Sequence, residues 1–332
     1  MRKLMNLIVF TFTLTIIGFV GAGYWIIDAF KTPGPLQQEQ VFVVHRGENA
    51  STIGERLEME GVIENSFVFK FGVKYLGDKS FLKAGEYKLP PKLSMQDVLA
   101  KLQSGDTVTY KFTIPECATS FEVMNILNSV DIMVDELSKP PLEGSIYPET
   151  YYFARGDSRH ATVERMQREM NILLDGLWLK YQGERLFKSP QEALILASIV
   201  EKESGNPDER KKVAGLFVNR MKKGMRLQSD PTVIYGIMDG KPKDDGMGPL
   251  GRRLLKKDLE YDSPYNTYIY ADLPPTPICN PGKASIEAVL NPEEHDYIYM
   301  VADGTGGHAF AKSLKEHNNN VRKWRKIRAE QE

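Results

Sequence analysis

The sequence predicts an α+β protein in three parts: a single N-terminal transmembrane helix, a small mixed module and a larger mixed α+β domain. Three observations support this prediction. The first is an uncharged run of 24 residues from Leu4 to Ile27. The second is the alternation of β-branched or aromatic segments with capped, amphipathic ones. The third is an ordinary composition, with 42% hydrophobic and 26% charged residues over 332 positions, which leaves ample apolar surface for packed cores.

The uncharged run is long enough to cross a bilayer as a helix. A cleaved signal peptide is the alternative, because Arg2 and Lys3 also form a basic n-region and Gly21-Ala22-Gly23 weakly resembles a cleavage site. The run continues through Tyr24-Trp25-Ile26-Ile27, however, and aromatic residues of this kind belong at a membrane interface. We therefore predict an uncleaved anchor, with its N-terminus in the cytoplasm and everything after residue 30 outside it.

Charge and cysteine content exclude several classes of protein. The 43 basic and 44 acidic residues give a formal net charge of −1, so we expect no nucleic-acid partner. Cys117 and Cys279 are the two cysteines of the chain, too few for a disulfide framework or a CxxC-type zinc site. They can pair if the compartment is oxidising, and the sequence leaves that question open.

Composition shifts predict where the parts begin and end. The predicted parts are a tail and anchor at 1–30, a linker at 31–40, a small module at 41–110 and a larger domain at 111–332. The elements predicted in the small module are a strand at Val41 to Val44, helical segments at Ala50 to Glu60 and Phe67 to Tyr75, a strand at Lys83 to Leu89, and a helix that Ser94 caps and Gly105 ends. The stretch FVVHRGENASTIGERL resembles a LysM-type glycan-binding unit, and a purely structural spacer is the alternative.

The most informative segment of the larger domain is SPQEALILASIVEKES, which begins at Ser189. Ser189 can cap a helix, and Pro190 suits its first position. Glu192 stands three residues after the cap, so the spacing predicts a capping box. We predict a helix of about four turns that ends at Gly205.

Two glutamates close this helix, and they point about 200° apart, so one substrate cannot meet both. Glu203 lies over Ile199 and Val200, whereas Glu201 lies over smaller and more polar residues. Apolar surroundings raise the pKa of a carboxyl, toward about 6 in favourable cases, where it can donate a proton at neutral pH. Glu203 is therefore the candidate general acid. The alternative is that both are ordinary helix-end charges, one of them paired with a residue such as Arg210.

Several sequence blocks together resemble the signature series of the endolytic murein transglycosylases, the MltG or YceG-like family. These blocks are EGSIYPETY, LASIVEKES, NRMKKGMRLQSDPTVIYG, SPYNTY, LPPTPICNPG and YIYMVADGTGGHAF. The resemblance covers essentially the whole chain, including the membrane span and the LysM-like module. The chain has Thr276 where the family usually has Gly and Met300 where it usually has Phe, which affects loop shape and rim packing.

The resemblance implies a lyase that cleaves the MurNAc-β-1,4-GlcNAc bond within nascent peptidoglycan strands, leaves 1,6-anhydro ends and terminates strand elongation. It places the catalytic glutamate on Glu203. One carboxyl suffices, because it protonates the departing oxygen and then removes the proton of the muramic acid 6-hydroxyl. Peptidoglycan glycan strands are the expected substrate, peptidoglycan synthases are candidate partners, and the expected location is the cell inner membrane with a periplasmic catalytic domain.

Two other classes of function stay open: a glycan-binding scaffold and a hydrolytic muramidase. The intact EKES block disfavours an inactive scaffold. A hydrolase needs a second carboxylate about 5–5.5 Å or about 6.5–9.5 Å from the first. Asp230 and Glu149 are the candidates for that second acid, and the sequence does not place either one relative to Glu203.

Further candidate substrate contacts are short polar side chains suited to N-acetyl and hydroxyl groups, and an aromatic ring beside an amide, suited to a sugar ring. Turn chemistry and a buried structural network are the alternatives. The candidates are Gln228, Ser229, Asp230, Thr232, Tyr235, Tyr265, Asn266, Thr267 and His308. His308 follows Gly304-Thr305-Gly306-Gly307, which predicts a tight hairpin rather than a phosphate loop. Its nine-residue spacing to His317 is not a metal-ligand pattern, so we expect no metal and no cofactor.

Overall fold

The structure is a computed structural model that describes residues 2–75, 81–181, 186–243 and 248–331. Its α-helices are α1 Arg2–Lys31, α2 Ala50–Met59, α3 Ser66–Tyr75, α4 Met95–Ser104, α5 Ser120–Asn128, α6 Arg159–Trp178, α7 Pro190–Glu203, α8 Arg210–Lys222, α9 Asp230–Met238, α10 Lys283–Leu290 and α11 Leu314–Gln331. Its strands are β1 Gln40–Val44, β2 Gly85–Leu89, β3 Thr109–Thr113, β4 Thr150–Ala154, β5 Tyr299–Ala302 and β6 His308–Ala311. The predicted mixed α+β class is confirmed.

The chain divides into two compact units. The first comprises Met1–Lys111 and Tyr152–Asp157, and the second comprises Phe112–Tyr151 and Ser158–Glu332. Strands β3 and β4 pair with each other.

In the first unit, helix α1 is long and apolar enough to cross a membrane, by length and composition. Its apolar side chains are exposed along most of its length. Phe30 near the end of the helix is 2% exposed and packs with the core of the unit beside Gly72, and the partly buried Ile26 and Ala29 also pack against this core. The predicted apolar helix is thus present, and its last turn belongs to the packed module.

The rest of the first unit is a two-stranded antiparallel sheet, β1 with β2, packed with helices α2, α3 and α4. Phe42 and Tyr87 face each other in the strand register and are fully buried. The predicted ends of α4 are confirmed, because the Ser94 hydroxyl accepts from the backbone N–H of Asp97 at 3.2 Å and Gly105 adopts a left-handed φ of 75°.

The core of the second unit forms around α7, which is buried from Ala193 to Val200 and packs against α8 and α10. The Ser189 hydroxyl accepts from the N–H of Glu192 at 3.3 Å, as predicted. The predicted capping box is only half formed, because the Glu192 carboxylate accepts from the N–H of Lys188 at 2.7 Å, one residue before the cap. The helix ends at Glu203.

The glycine-rich run forms the predicted hairpin, with β5 and β6 antiparallel and Tyr299 opposite Ala311. The Asp303 carboxylate stabilises its turn by accepting from the N–H groups of Thr305 at 2.7 Å and Gly307 at 3.2 Å. This hairpin packs against α11.

The question that the sequence left open about the cysteines has an answer in the structure. Cys117 and Cys279 form a disulfide whose Cα atoms are 4.8 Å apart, across 162 positions of sequence. Both sulfur atoms lie against the backbone carbonyl of Ser198 in α7. The disulfide therefore joins the chain before α5 to the loop before α10 directly beside the central helix.

Candidate active site

The candidate site is a cavity of about 480 Å³ in the second unit, at the C-terminal end of α7. Glu203 is the last residue of that helix, is partly buried and lines the cavity. The other lining residues come from α8, α9, the β5–β6 hairpin, α11 and the loops between them. They are Leu216, Phe217, Arg220, Leu227, Gln228, Asp230, Tyr268, Tyr299, Met300, Val301, Ala302, His308, Leu314 and His317.

Among the residues that the structure describes, Ser229 donates a hydrogen bond to the carboxyl of Glu203. The Ser229 hydroxyl donates to its Oε1 atom at 2.7 Å. Ser229 is the N-cap residue of α9 and is buried, and its own N–H donates to the Thr267 hydroxyl at 3.0 Å. The hydroxyl that meets Glu203 is therefore fixed by the start of a helix and a buried loop.

Burial raises the pKa of Glu203 to about 7, and the negative charge of Asp230 contributes in the same direction. The hydrogen bond from Ser229 and the charge of His308 act against this rise. The result is a carboxyl that exchanges a proton near neutral pH, as a group that acts first as an acid and then as a base requires.

Glu201, two residues earlier, faces away from this cavity. Its Oε1 atom accepts from Arg210 at 3.1 Å, and its Oε2 atom accepts from the N–H of Gly282 at 2.9 Å. The alternative of an ordinary helix-end charge paired with Arg210 thus describes Glu201. Of the two glutamates, Glu203 is the one with its carboxyl in the cavity.

Asp230, a candidate second acid, lines the same cavity as Glu203. The Tyr268 hydroxyl donates to its Oδ1 atom at 2.7 Å, and burial together with this hydrogen bond raises the pKa of Tyr268. Glu149 is not among the lining residues, and its Oε1 atom accepts from the N–H of Thr150 at 2.8 Å. The structure therefore brings Asp230, and not Glu149, into the candidate site.

His308 lines the cavity next to its own partner, Glu209. Its Nδ1 atom lies 2.9 Å from Glu209 Oε2, and its backbone N–H donates to Oε1 at 3.1 Å. Residues Pro207–Glu209 form a 3-10 helix just before α8, which places the Glu209 carboxylate against His308. Within the described ranges, no three His, Cys, Asp or Glu side chains come together as metal ligands.

The remaining predicted contacts lie behind the cavity wall. Thr232 and Thr267 are buried and share a hydrogen bond of 2.8 Å beneath Ser229. Asn266 is fully buried and donates to the carbonyls of Leu259 and Tyr261, which favours its structural alternative.

Two predicted aromatic contacts also lie away from the lining. The Tyr235 hydroxyl donates to partly buried Glu143 at 3.0 Å, and the Tyr265 hydroxyl lies 2.7 Å from that of Thr276. The two rings pack at 4.7 Å between centroids. Of the nine predicted contacts, the structure places Gln228, Asp230 and His308 on the cavity wall and Ser229 in contact with Glu203.

Sequence reasoning missed four cavity residues of functional type: Arg220, Tyr268, Tyr299 and His317. The first three stand inside the blocks NRMKKGMRLQSDP, SPYNTY and YIYMVADG, so the signal was present in the resemblance. His317 follows the last block, and nothing in the local pattern marks it.

The fold and this site define a class of protein. It is an α+β protein whose core helix ends in a protonatable glutamate, and this glutamate is suited to general acid–base cleavage. Comparison with known proteins gives the family. The chain matches the YceG-like family over residues 42–323, and it belongs to that family.

Named relatives agree with this assignment. The chain is 33% identical to the endolytic murein transglycosylase of Bacillus subtilis over 310 residues, which cover 84% of this chain and 82% of that protein. It is 27% identical to the endolytic murein transglycosylase of Streptococcus pneumoniae, over 96% of this chain and 64% of that protein. A crystal structure of a YceG-like protein from Listeria monocytogenes matches 85% of this chain and 99% of its own, with 34% identity and a TM-score of 0.52.

Proposed function

We propose that this protein is a membrane-anchored, endolytic peptidoglycan lytic transglycosylase that cleaves the MurNAc-β-1,4-GlcNAc bond and leaves 1,6-anhydro-MurNAc ends. The enzyme class follows from the family: the curated relatives are named endolytic murein transglycosylases, and this chain is a lyase of that class. The observation that supports the cleavage chemistry is the Glu203 carboxyl. It lines the cavity, and burial raises its pKa to about 7.

The proposed reaction uses this one carboxyl twice. Protonated Glu203 gives its proton to the glycosidic oxygen as the bond to the muramic acid anomeric carbon breaks. The resulting carboxylate removes the proton of the 6-hydroxyl, whose oxygen bonds to the same anomeric carbon and closes the anhydro ring. No water is consumed. Burial and the charge of Asp230 favour protonated Glu203, which is the proton donor. The hydrogen bond from Ser229 favours the Glu203 carboxylate that follows.

The proposal includes a location and partners. Helix α1 is long and apolar enough to serve as the anchor, and Arg2 and Lys3 at its start favour a cytoplasmic N-terminus. The enzyme then stands on the periplasmic face of the inner membrane, where nascent strands grow. Cleavage there terminates strand elongation, peptidoglycan synthases are the expected partners, and the first unit is proposed to bind glycan in the manner of a LysM unit.

A hydrolytic muramidase is the second candidate function, and one observation favours it. Asp230 is a second carboxylate on the wall of the same cavity. In a hydrolase this group would act as the nucleophile or activate water. The two functions differ in their products, because a hydrolase adds the oxygen of water to the new reducing end.

The deciding experiment is digestion of purified peptidoglycan strands in ¹⁸O-labelled water, followed by mass spectrometry of the products. We expect 1,6-anhydro ends, lighter by one water than hydrolysed ends and free of ¹⁸O. Reducing ends that carry ¹⁸O would identify a hydrolase, and Asp230 would then be the candidate for its second acid.

A matched pair of variants tests the assignment of the acid. Glu203→Gln keeps the size of the side chain and removes the titrating proton, so turnover should fall by about 10²–10⁴ or more while strand binding persists. Glu201→Gln, on the opposite face, should retain most of the turnover of the folded enzyme. Equal loss in the two variants would overturn the assignment.

A further inference from the structure

Arg220 is a buried cation on the cavity wall. Its side chain belongs to α8 and is 7% exposed. Its Nε–H donates to the carbonyl of Arg226 at 3.0 Å, and its Nη2 donates to the amide oxygen of Gln228. Both acceptors are neutral, and within the described ranges Arg220 forms no ion pair. Burial accordingly lowers its pKa.

A buried charge is costly unless an opposite charge compensates for it, so an unpaired guanidinium in a cavity favours an anionic ligand. Its Nη1 group also donates to no protein atom that the structure describes, which leaves part of the guanidinium fork free. Carboxylates are the anions that match this planar fork with two parallel hydrogen bonds. The hydrogen-bond donor to Glu203 is Ser229, and no ion pair joins Arg220 to Glu203 among the described residues.

A second unused polar group stands on the same wall. The Nδ1 atom of His317 is buried and has no hydrogen-bond partner among the residues that the structure describes. Its ring stacks on Tyr299 at 5.2 Å between centroids, and the guanidinium of Arg220 lies 5.8 Å from the centroid of the same Tyr299 ring. Tyr299 thus contacts both groups.

We propose that Arg220 and His317, with Tyr299 in contact with both, form a specificity subsite that binds a carboxylate carried by the lactyl group of the muramic acid residue being cleaved. This inference rests on the proposed function, since it takes the peptidoglycan strand as the substrate. The lactyl ether is the one substituent that distinguishes muramic acid from glucosamine. Its carboxylate is free in strands without stem peptides, and in complete strands the stem peptide supplies carboxylates on the same arm.

The test is binding of defined disaccharide-repeat oligomers to the full chain in detergent, with Glu203→Gln introduced to prevent turnover. In the first pair, one ligand has a free lactyl carboxylate and the other has the neutral lactyl amide. In the second pair, one ligand has stem peptides with free carboxylates and the other has stem peptides with amidated carboxylates. We expect the carboxylate member of at least one pair to bind about tenfold or more tightly than its neutral partner, and the pair that shows this difference identifies the source.

Arg220→Gln should abolish that preference while leaving the affinity for the neutral ligand within about twofold. The matched control is Arg159→Gln, which removes another buried arginine whose guanidinium donates to backbone carbonyls, including Leu127 at 2.8 Å and Met133 at 2.9 Å. It should lower the melting temperature without changing the preference. If Arg220→Gln does not fold, Arg220→Lys keeps the charge without the fork and should show a reduced preference.

The outcomes separate the two proposals. Equal affinity for charged and neutral members of both pairs, with cleavage of strands by the unmodified enzyme intact, would overturn the carboxylate subsite and leave the proposed function in place. Equal weakening of charged and neutral ligands by Arg220→Gln would show a structural role and would also overturn it. Failure of the unmodified enzyme to bind or cleave any of these strands would overturn the proposed function itself.

Discussion

At the residue scale, the proton affinity of Glu203 results from opposing interactions that nearby residues contribute. Burial and the charge of Asp230 favour the protonated carboxyl, and the Ser229 hydroxyl and His308 favour the carboxylate. Because the proposed reaction passes through both states, neither set of interactions can dominate without slowing one of the two proton transfers. Single substitutions should therefore shift the pKa in directions that depend on which set they remove.

The first prediction concerns the pH dependence of activity. The protonated form of Glu203 starts the reaction, so kcat/KM should fall as the pH rises through about 7. Ser229→Ala removes a hydrogen bond that lowers the pKa, so this fall should move to higher pH. Asp230→Asn removes a charge that raises the pKa, so the fall should move to lower pH. Rates on soluble strands between pH 5 and 9 measure both shifts, and shifts in the same direction would contradict this account of the site.

The second prediction concerns stability. The folded-state pKa of Glu203 is about 7 against an ordinary value of 4.5, so the folded protein binds this proton more tightly than the unfolded chain. Stability from this group is present below about pH 4.5 and is lost as the pH rises through about 7. Glu203→Gln has no such loss. At pH 8 it should be more stable than the unmodified protein by on the order of 1–3 kcal/mol.

Thermal unfolding at pH 8 and at pH 4.5 measures this effect, and the stability gain should disappear at the lower pH. Glu201→Gln is the matched control because it breaks the buried pair with Arg210. It should destabilise the fold at pH 8. A Glu203→Gln protein that is less stable than the unmodified one at pH 8 would show that the carboxylate is stabilised in the folded state, contrary to its raised pKa.

At the scale of elements, local signals predicted the helices well and the cavity wall poorly. The caps at Ser94 and Ser189 and the different surroundings of Glu201 and Glu203 follow from short-range spacing, which a sequence displays directly. The cavity forms where α8, α9, a hairpin and α11 meet, and His317 on α11 has no local feature that indicates this meeting. Contacts between distant segments depend on packing that one sequence does not display.

The disulfide joins the chain before α5 to a loop whose backbone hydrogen-bonds to α7 on both sides of Cys279. The N–H of Ile278 donates to the Ser198 hydroxyl at 3.0 Å, and the N–H of Gly282 donates to Glu201 at 2.9 Å. Cys279 lies between these contacts. The bond therefore stabilises the loop that packs along the last turns of the helix that ends at Glu203.

The third prediction follows from this arrangement. Replacing both cysteines by serine should lower the free energy of unfolding by about 2–5 kcal/mol, and hydrogen exchange should increase in the last turns of α7. Reductant applied to the unmodified protein should have the same effect, and reductant should not change the double variant further. An unchanged melting temperature would show that the packing of this loop does not depend on the disulfide.

At the scale of the whole molecule, neither unit is one continuous segment of the sequence. The first unit includes Tyr152–Asp157 as well as the residues up to Lys111. Within it, Arg155 forms an ion pair of 2.6 Å with Glu86. A composition shift can indicate one boundary near residue 110, but a six-residue return to an earlier unit has no compositional signal. The division at 41–110 and 111–332 stays a prediction, and a fragment that begins near residue 111 would carry this short segment away from its unit.

The last prediction concerns topology, where two separate features lead to one expectation. Arg2 and Lys3 before the uncharged run favour a cytoplasmic N-terminus and export of the remaining chain, and a disulfide between Cys117 and Cys279 requires an oxidising compartment. Alkaline phosphatase fused after Glu332 should therefore be active, and the chain from cells should run faster on a non-reducing gel than after reduction. The mature N-terminus should lie at or next to Met1. An N-terminus at Gly23 or Tyr24 would identify a cleaved signal peptide, and free thiols in the cellular protein with an inactive fusion would place the catalytic unit in the cytoplasm.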